Sequence, residues 1–248
     1  MKLMTAAFTP NLEVYREHDG GVQLARATGD PATGDANVDA AYDHATEGLH
    51  MLHQRLGWNG WDGHGTVLKV VANSSHATHW KHDEGTMYLS ATSDGETHGR
   101  SSAQSDDVVW HELGHGVAMS RAPSMSSARK MDLHQTLANV IAMAFDTDDW
   151  KLGEDTYSAW RVFDYSNPTR RFAESSSTAM AMIGDAVGRD TMLKVFFEAM
   201  PRMTDSTTVS SAAADTIVAA RTLGLAPETV TKIADAWRRA GVEVQSAQ

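Results

Sequence analysis

His111 and His115 stand four residues apart in the stretch Trp110-His111-Glu112-Leu113-Gly114-His115-Gly116-Val117. On a helix that spacing puts both imidazoles on one face, one turn apart. Two neutral imidazoles so arranged can share a tetrahedral zinc ion. Glu112, beside them, sits where a carboxylate can take a proton from a water that the metal activates. The chemistry this pattern points to is hydrolysis with Glu112 as general base.

Such a motif needs a helix to carry it, and elements on either side to enclose a cleft. Apolar residues make up 42% of the 248-residue chain, enough for the sizeable core of one large domain or of two lobes sharing a groove. The formal charge of -11 argues against a nucleic-acid groove or an anionic membrane surface as partner, since both call for a basic patch. No apolar run reaches the roughly 20 residues of a membrane span. The opening residues Met1-Lys2-Leu3-Met4-Thr5 lack the apolar stretch of a signal peptide, so the expected location is the cytoplasm. The absence of cysteine removes disulfides and thiolate metal sites from consideration.

Along the chain, residues 1–36 read as irregular, with 1–22 an extension or the remnant of a propeptide. Ala41, Ala45, Leu49, Leu52 and Leu56 then form a stripe at helical spacing that stops at Gly57. Strands are expected over 67–71 and 86–89. His76, His79 and His82 fall in the polar segment between them. From Asp107 the pattern is mostly helical: the motif helix over 108–120, a second around Leu133 to Ala144, then helices over 178–187, 190–200 with Asp190 as N-cap, 208–223, and from Pro227 onward. This divides the chain into a mixed N-terminal lobe, 1–106, and a central motif helix with a helical lobe, 107–248.

Several separated stretches resemble the thermolysin-like neutral metallopeptidases, a gluzincin family. Gly34-Asp35-Ala36-Asn37-Val38-Asp39-Ala40-Ala41-Tyr42-Asp43 is similar to the start of that family's first mature helix. Asp107-Val108-Val109-Trp110-His111-Glu112-Leu113-Gly114-His115 is similar to its zinc helix, and Asp149-Trp150-Lys151-Leu152-Gly153-Glu154-Asp155-Thr156-Tyr157 to its calcium loop. Ser166-Asn167-Pro168, Gly188-Arg189-Asp190 and Ala236-Trp237-Arg238-Arg239-Ala240-Gly241-Val242 fit its C-terminal lobe. The resemblance implies an α+β, two-lobe zincin fold with the motif helix at its centre and zinc in the groove. It further implies calcium at Asp107, Asp146, Asp149 and Glu154, with Lys151 in place of another carboxylate. It also places His76, Ala77, His79, Trp80 and His82 approximately on an edge strand over the cleft, where one of the three histidines is a candidate acid or oxyanion donor.

Against this pattern the chain departs at positions that matter. The family's third zinc ligand, a Glu, aligns with Gln135, 20 residues after His115, and the Asp that orients a ligand histidine aligns with Asn139. Both carboxylates have become amides, which weakens zinc binding and the hold on the imidazole. His134 is the alternative third ligand if the helix register shifts by one residue. The family's oxyanion-stabilising Tyr falls near Ser126, and its C-terminal His falls in Ala173-Glu174-Ser175-Ser176-Ser177, which contains none. Three readings follow. The first is a zinc-dependent hydrolase with a remodelled site, acting on a small or specialised molecule. The second is a metal-free enzyme in which Glu112, His111 and His115 transfer protons on a non-peptide substrate. The third is an inactive pseudopeptidase that holds a peptide or small molecule in the interlobe cleft.

Overall fold

Asp19 and Gly20 adopt left-handed backbone conformations, with φ of 50° and 74°, the combination that closes a two-residue hairpin between twisted strands. They join strand β1, Leu12–His18, to strand β2, Gly21–Ala27. Leu12 and Val14 alternate with Glu13 and Tyr15, so one face of β1 is buried. The expectation of an irregular stretch over residues 1–36 is thereby corrected for Leu12–Ala27. β1 lies inside a five-stranded sheet ordered β2-β1-β3-β5-β4, with β3 Leu68–Ser74, β4 His79–Lys81 and β5 Thr86–Ser90. β1, β3 and β5 run parallel, and β2 and β4 pair antiparallel at the two edges. The computed structural model describes residues 8–91, 100–125, 131–154, 163–165 and 175–244.

Helix α1, Ala36–Leu56, begins where the Asp35 carboxylate accepts the N–H groups of Asn37 and Val38, and ends at Gly57 with φ 65°. Its buried stripe of Val38, Ala41, Ala45, Leu49 and Leu52 packs with Leu12, Val14, Leu68 and Val70 of the sheet. Helix α2, Asp106–Arg121, carries the motif and is buried almost all round, as a central helix must be. It has α1, β4 and β5 on one side and α3, Met131–Phe145, on the other. A short ribbon follows, β6 Lys151–Leu152 with β7 Phe163–Asp164, and then the helical lobe: α4 Ser175–Val187, α5 Arg189–Ala199, α6 Val209–Thr222 and α7 Pro227–Arg239.

Asp190 does not cap α5 as expected. Gly188 occupies the cap with φ 87°, and Asp190 sits in the first turn, where its charge favours the helix dipole and pairs with Arg55 at 3.1 Å. α6 opens with a reciprocal Thr208–Ser211 capping box, and α7 opens with Pro227 at its first turn. The buried Trp237 of α7 donates its indole N–H to Thr216 of α6 at 2.8 Å. No helix among the described residues is long and apolar enough to cross a membrane.

Candidate active site

The motif helix is held between its neighbours by two close approaches. A Cβ on Gly114 would stand 2.7 Å from the Ala138 carbonyl oxygen of α3, so only glycine allows α2 and α3 to lie this near. A Cβ on Gly116 would stand 2.8 Å from the Trp80 ring, which lies over α2 from the edge strand β4. The first approach presents Gln135 and Asn139 to His111. The second brings β4 against Glu112.

His111 and His115 meet edge to face with ring centroids 4.7 Å apart. Burial pushes the His111 pKa down to about 4, against a smaller opposing pull from the Asn139 and Gln135 amides. Burial, then the charges His111 and His134 would carry, holds His115 well below the usual range. Both rings are therefore neutral at pH 7, the state in which imidazole binds a metal. Nδ1 of His111 and Oδ1 of Asn139 are buried with no formed hydrogen bond.

Glu112 is only 7% exposed. Burial raises its pKa to about 8, and the Trp80 backbone N–H, aimed at the carboxylate, partly offsets this. Its Oε2 is buried and unpartnered, as is the Trp80 indole nitrogen. The base and the indole are thus buried with hydrogen-bonding capacity unspent.

The remaining expected residues distribute unevenly. His134 directs Nε2 to the Met125 carbonyl at 2.5 Å, so that nitrogen is already engaged. Strand alternation sends Trp80 toward α2 and His79 to the opposite sheet face, where it stacks on Tyr88 at 4.9 Å and bonds the Ala77 carbonyl. His76 and Ala77 are exposed. Of these four residues, two of which (His76 and Ala77) precede β4, the structure brings Trp80 to the base. Ser126, Ala173 and Glu174 lie outside the described residues.

The loop after α3 gathers Asp146, Asp148, Asp149 and Glu154, with one carboxylate oxygen of each within 4.8 Å of the others. Asp148 was not expected there. Asp107 lies beside the group: its Oδ1 accepts from Ser105 and Val108 at the start of α2, and its Oδ2 from the Gly153 N–H of the loop. Lys151 pairs with Asp149, and Arg189 donates to the carbonyls of Met143, Asp146 and Asp149. Burial raises Asp146, with a further rise from its hydrogen bond to Asp148, and raises Glu154 to about 7. Asp146 Oδ2 and Glu154 Oε2 have no partner.

A second polar group was legible only as a short polar run. Thr136 of α3 meets Ser176 and Ser177 of α4 at 2.8 and 3.0 Å, and the Asn139 amide N–H donates to Ser177 at 3.3 Å. The one signal available in the sequence was Thr136 and Asn139 at a three-residue spacing, which puts them on one side of a helix.

With the geometry in place, comparisons with known proteins agree on the class. A solved structure, the precursor of protealysin, a metalloproteinase from Serratia proteamaculans, superposes with a TM-score of 0.81 at 17% identity, covering 98% of this chain and 90% of that one. The fold is therefore thermolysin-like: an α+β architecture with a mostly helical C-terminal part. Among curated proteins, bacillolysin of Brevibacillus brevis is 29% identical over 129 residues, 52% of this chain and 23% of its own length. Neutral protease NprE of Bacillus pumilus is 28% identical over 138 residues, 54% of this chain and 45% of its own length. In sequence the chain is thus similar to bacillolysin and neutral protease NprE over about half its length, and in fold to the protealysin precursor. It matches less than half the length of these curated relatives. No family model matches it.

Proposed function

We propose that this chain is a zinc-dependent hydrolase in which His111 and His115 hold the metal, Gln135 completes the protein ligands, and Glu112 is the general base. The observation that carries this reading is a pair of neutral imidazoles, His111 buried and His115 half-buried, beside a carboxylate whose Oε2 is unpartnered. The donor set fits zinc: two imidazoles one helical turn apart and an amide carbonyl on the facing helix. A zinc ion there supplies Lewis-acid polarisation of a carbonyl and acidifies water. Glu112 accepts the proton on its free oxygen, and the Trp80 N–H keeps the carboxylate aligned. Asn139 supports the inner side of His111. The amides carry no negative charge, so the site holds zinc less firmly than a carboxylate set would. That weaker hold, with the altered oxyanion positions, favours a small or specialised substrate over general protein chains.

A metal-free reading has its own support, because a Glu112 pKa near 8 makes the group a proton donor and acceptor around neutral pH without a cation. The test is metal analysis after zinc loading and dialysis, run beside turnover of a panel of small amides and esters. One zinc per chain is expected in the parent and in Glu112→Gln, and none in His115→Ala. Glu112→Gln should also lower turnover by roughly 10²–10⁴-fold. No bound zinc, with turnover still lost in Glu112→Gln, supports the metal-free reading. No zinc and no turnover supports the pseudopeptidase.

The acidic loop fits calcium, with unpartnered oxygens on Asp146 and Glu154 and four carboxylates converging. The folded state binds protons at Asp146 and Glu154 more tightly than the unfolded chain does. Stability is therefore lost as pH rises from the usual carboxylate range through about 7 for Glu154 and about 8 for Asp146. Calcium takes the ionised groups, so its stabilisation grows over the same interval. Thermal melts should show almost no effect of millimolar calcium at pH 5 and a clear rise in Tm at pH 8. An equal rise at both values would remove calcium from this loop.

A further inference from the structure

We propose that Ser177 is a positioning residue: its hydroxyl fixes which way round the Asn139 amide sits, and so decides which nitrogen of His111 carries the proton. The inference rests on the reading of His111 as the ring whose Nε2 serves the cleft, and its test separates the two.

A carboxylate at position 139 would present an acceptor in either rotation. An amide does not, because one end accepts and the other donates. With its oxygen toward His111, Asn139 accepts from Nδ1–H and leaves the Nε2 lone pair free for a metal or a proton. With its NH2 toward His111, it would make Nδ1 the acceptor, drive the ring proton to Nε2 and block that lone pair. Exchanging a carboxylate for an amide therefore creates an orientation problem, and something must settle it.

The structure supplies the answer 38 residues away in sequence, on the first turn of α4. Asn139 Nδ2 donates to Ser177 Oγ at 3.3 Å. Ser177 Oγ lies 3.0 Å from Thr136 Oγ1, which in turn lies 2.8 Å from Ser176 Oγ. Asn139, Thr136, Ser176 and Ser177 are all at most 2% exposed, so water does not compete. Ser177 receives from the amide, and at 3.0 Å from Thr136, where either hydroxyl can donate, the proposed order has Ser177 pass its own hydrogen on to Thr136. With Nδ2 engaged there, Oδ1 is the end left for His111. Oδ1 of Asn139 and Nδ1 of His111 are both buried with no formed hydrogen bond, and the Asn139 side chain acts on the His111 ring.

The deciding measurement is the tautomer of His111, read from ring nitrogen shifts in the ¹⁵N-histidine-labelled full chain, metal-free, near pH 7. The parent should show Nδ1–H over Nε2–H by about 10 to 1, the ratio set by one net hydrogen bond. Ser177→Ala should bring the two forms toward equality. Asn139→Asp combined with Ser177→Ala should restore Nδ1–H, because either carboxylate oxygen accepts. Thr136→Val, which removes the acceptor for the Ser177 hydrogen, should turn that hydrogen onto Asn139 Oδ1 and favour Nε2–H. It carries the test should Ser177→Ala not fold. In parallel, zinc affinity should fall about 10-fold in Ser177→Ala and recover in the double variant. An unchanged tautomer in Ser177→Ala, or failure of the aspartate to restore it, overturns the proposal. If the tautomers shift as stated and no variant binds zinc, the positioning role stands and the zinc reading alone is lost.

Discussion

Gln135→Glu raises zinc affinity by at least about 100-fold, the largest gain expected of any single substitution in this chain. Gln135 lies on the α3 face turned to His111, and its amide already acts on that ring. Replacing the amide with a carboxylate adds a formal negative charge to a donor set that has none in its neutral state. In a site where His111 is only 8% exposed, that charge is poorly screened. Competition against a chromogenic chelator measures the change, and hydrolysis of a small peptide amide should rise with it. An unchanged affinity would show that Gln135 does not reach the metal. The remaining candidate, His134, would first have to give up the Met125 carbonyl.

Gly114→Ala is expected to destabilise the fold by about 3 kcal/mol, the upper part of the range for overpacking a close-packed contact. The added carbon would stand 2.7 Å from the Ala138 carbonyl oxygen and 2.9 Å from its Cα, both backbone atoms that no rotamer change can move. α2 and α3 must therefore separate, drawing Gln135 and Asn139 away from His111. A fall in Tm of roughly 6–12 °C should accompany it for a chain of this size. Zinc affinity should fall as well. Gly116→Ala is the informative contrast. Its new carbon meets only the far edge of the Trp80 indole, a side chain that can tilt, so the loss should be clearly smaller. Equal melting temperatures for Gly114→Ala and the parent would mean that the helix contact does not set the site geometry.

The chemistry was largely written in local spacing. His111 and His115 share a face because a helix turns every 3.6 residues, and Gln135 and Asn139 share theirs for the same reason. The α1 stripe, the Gly57 stop and the Pro227 start are also short-range features, and the structure keeps all three. The β1–β2 hairpin was equally local, since Asp19-Gly20 is a strong turn signal, but the polar composition around it masked two short strands.

What the sequence could not carry is which atoms meet across separate elements. Alternation along β4 made His79 and Trp80 equal candidates, and only the packing of that edge strand on α2 turns Trp80 to Glu112 and His79 away. Asp107 and Asp148 are both acidic residues near one loop. The fold sets Asp107 between the start of α2 and the Gly153 N–H of the loop, and places Asp148 in the carboxylate cluster. Ser177 is one serine in a polar run until α4 docks on α3 and sets its hydroxyl against Asn139. By itself, then, the sequence determined the motif, its helix and the two amides facing it, because residue type and helical period suffice for those. Burial, proton positions and the orientation of each polar side chain were decided by tertiary structure. They depend on the dielectric and the partners that distant segments bring to a residue, and no local period records these.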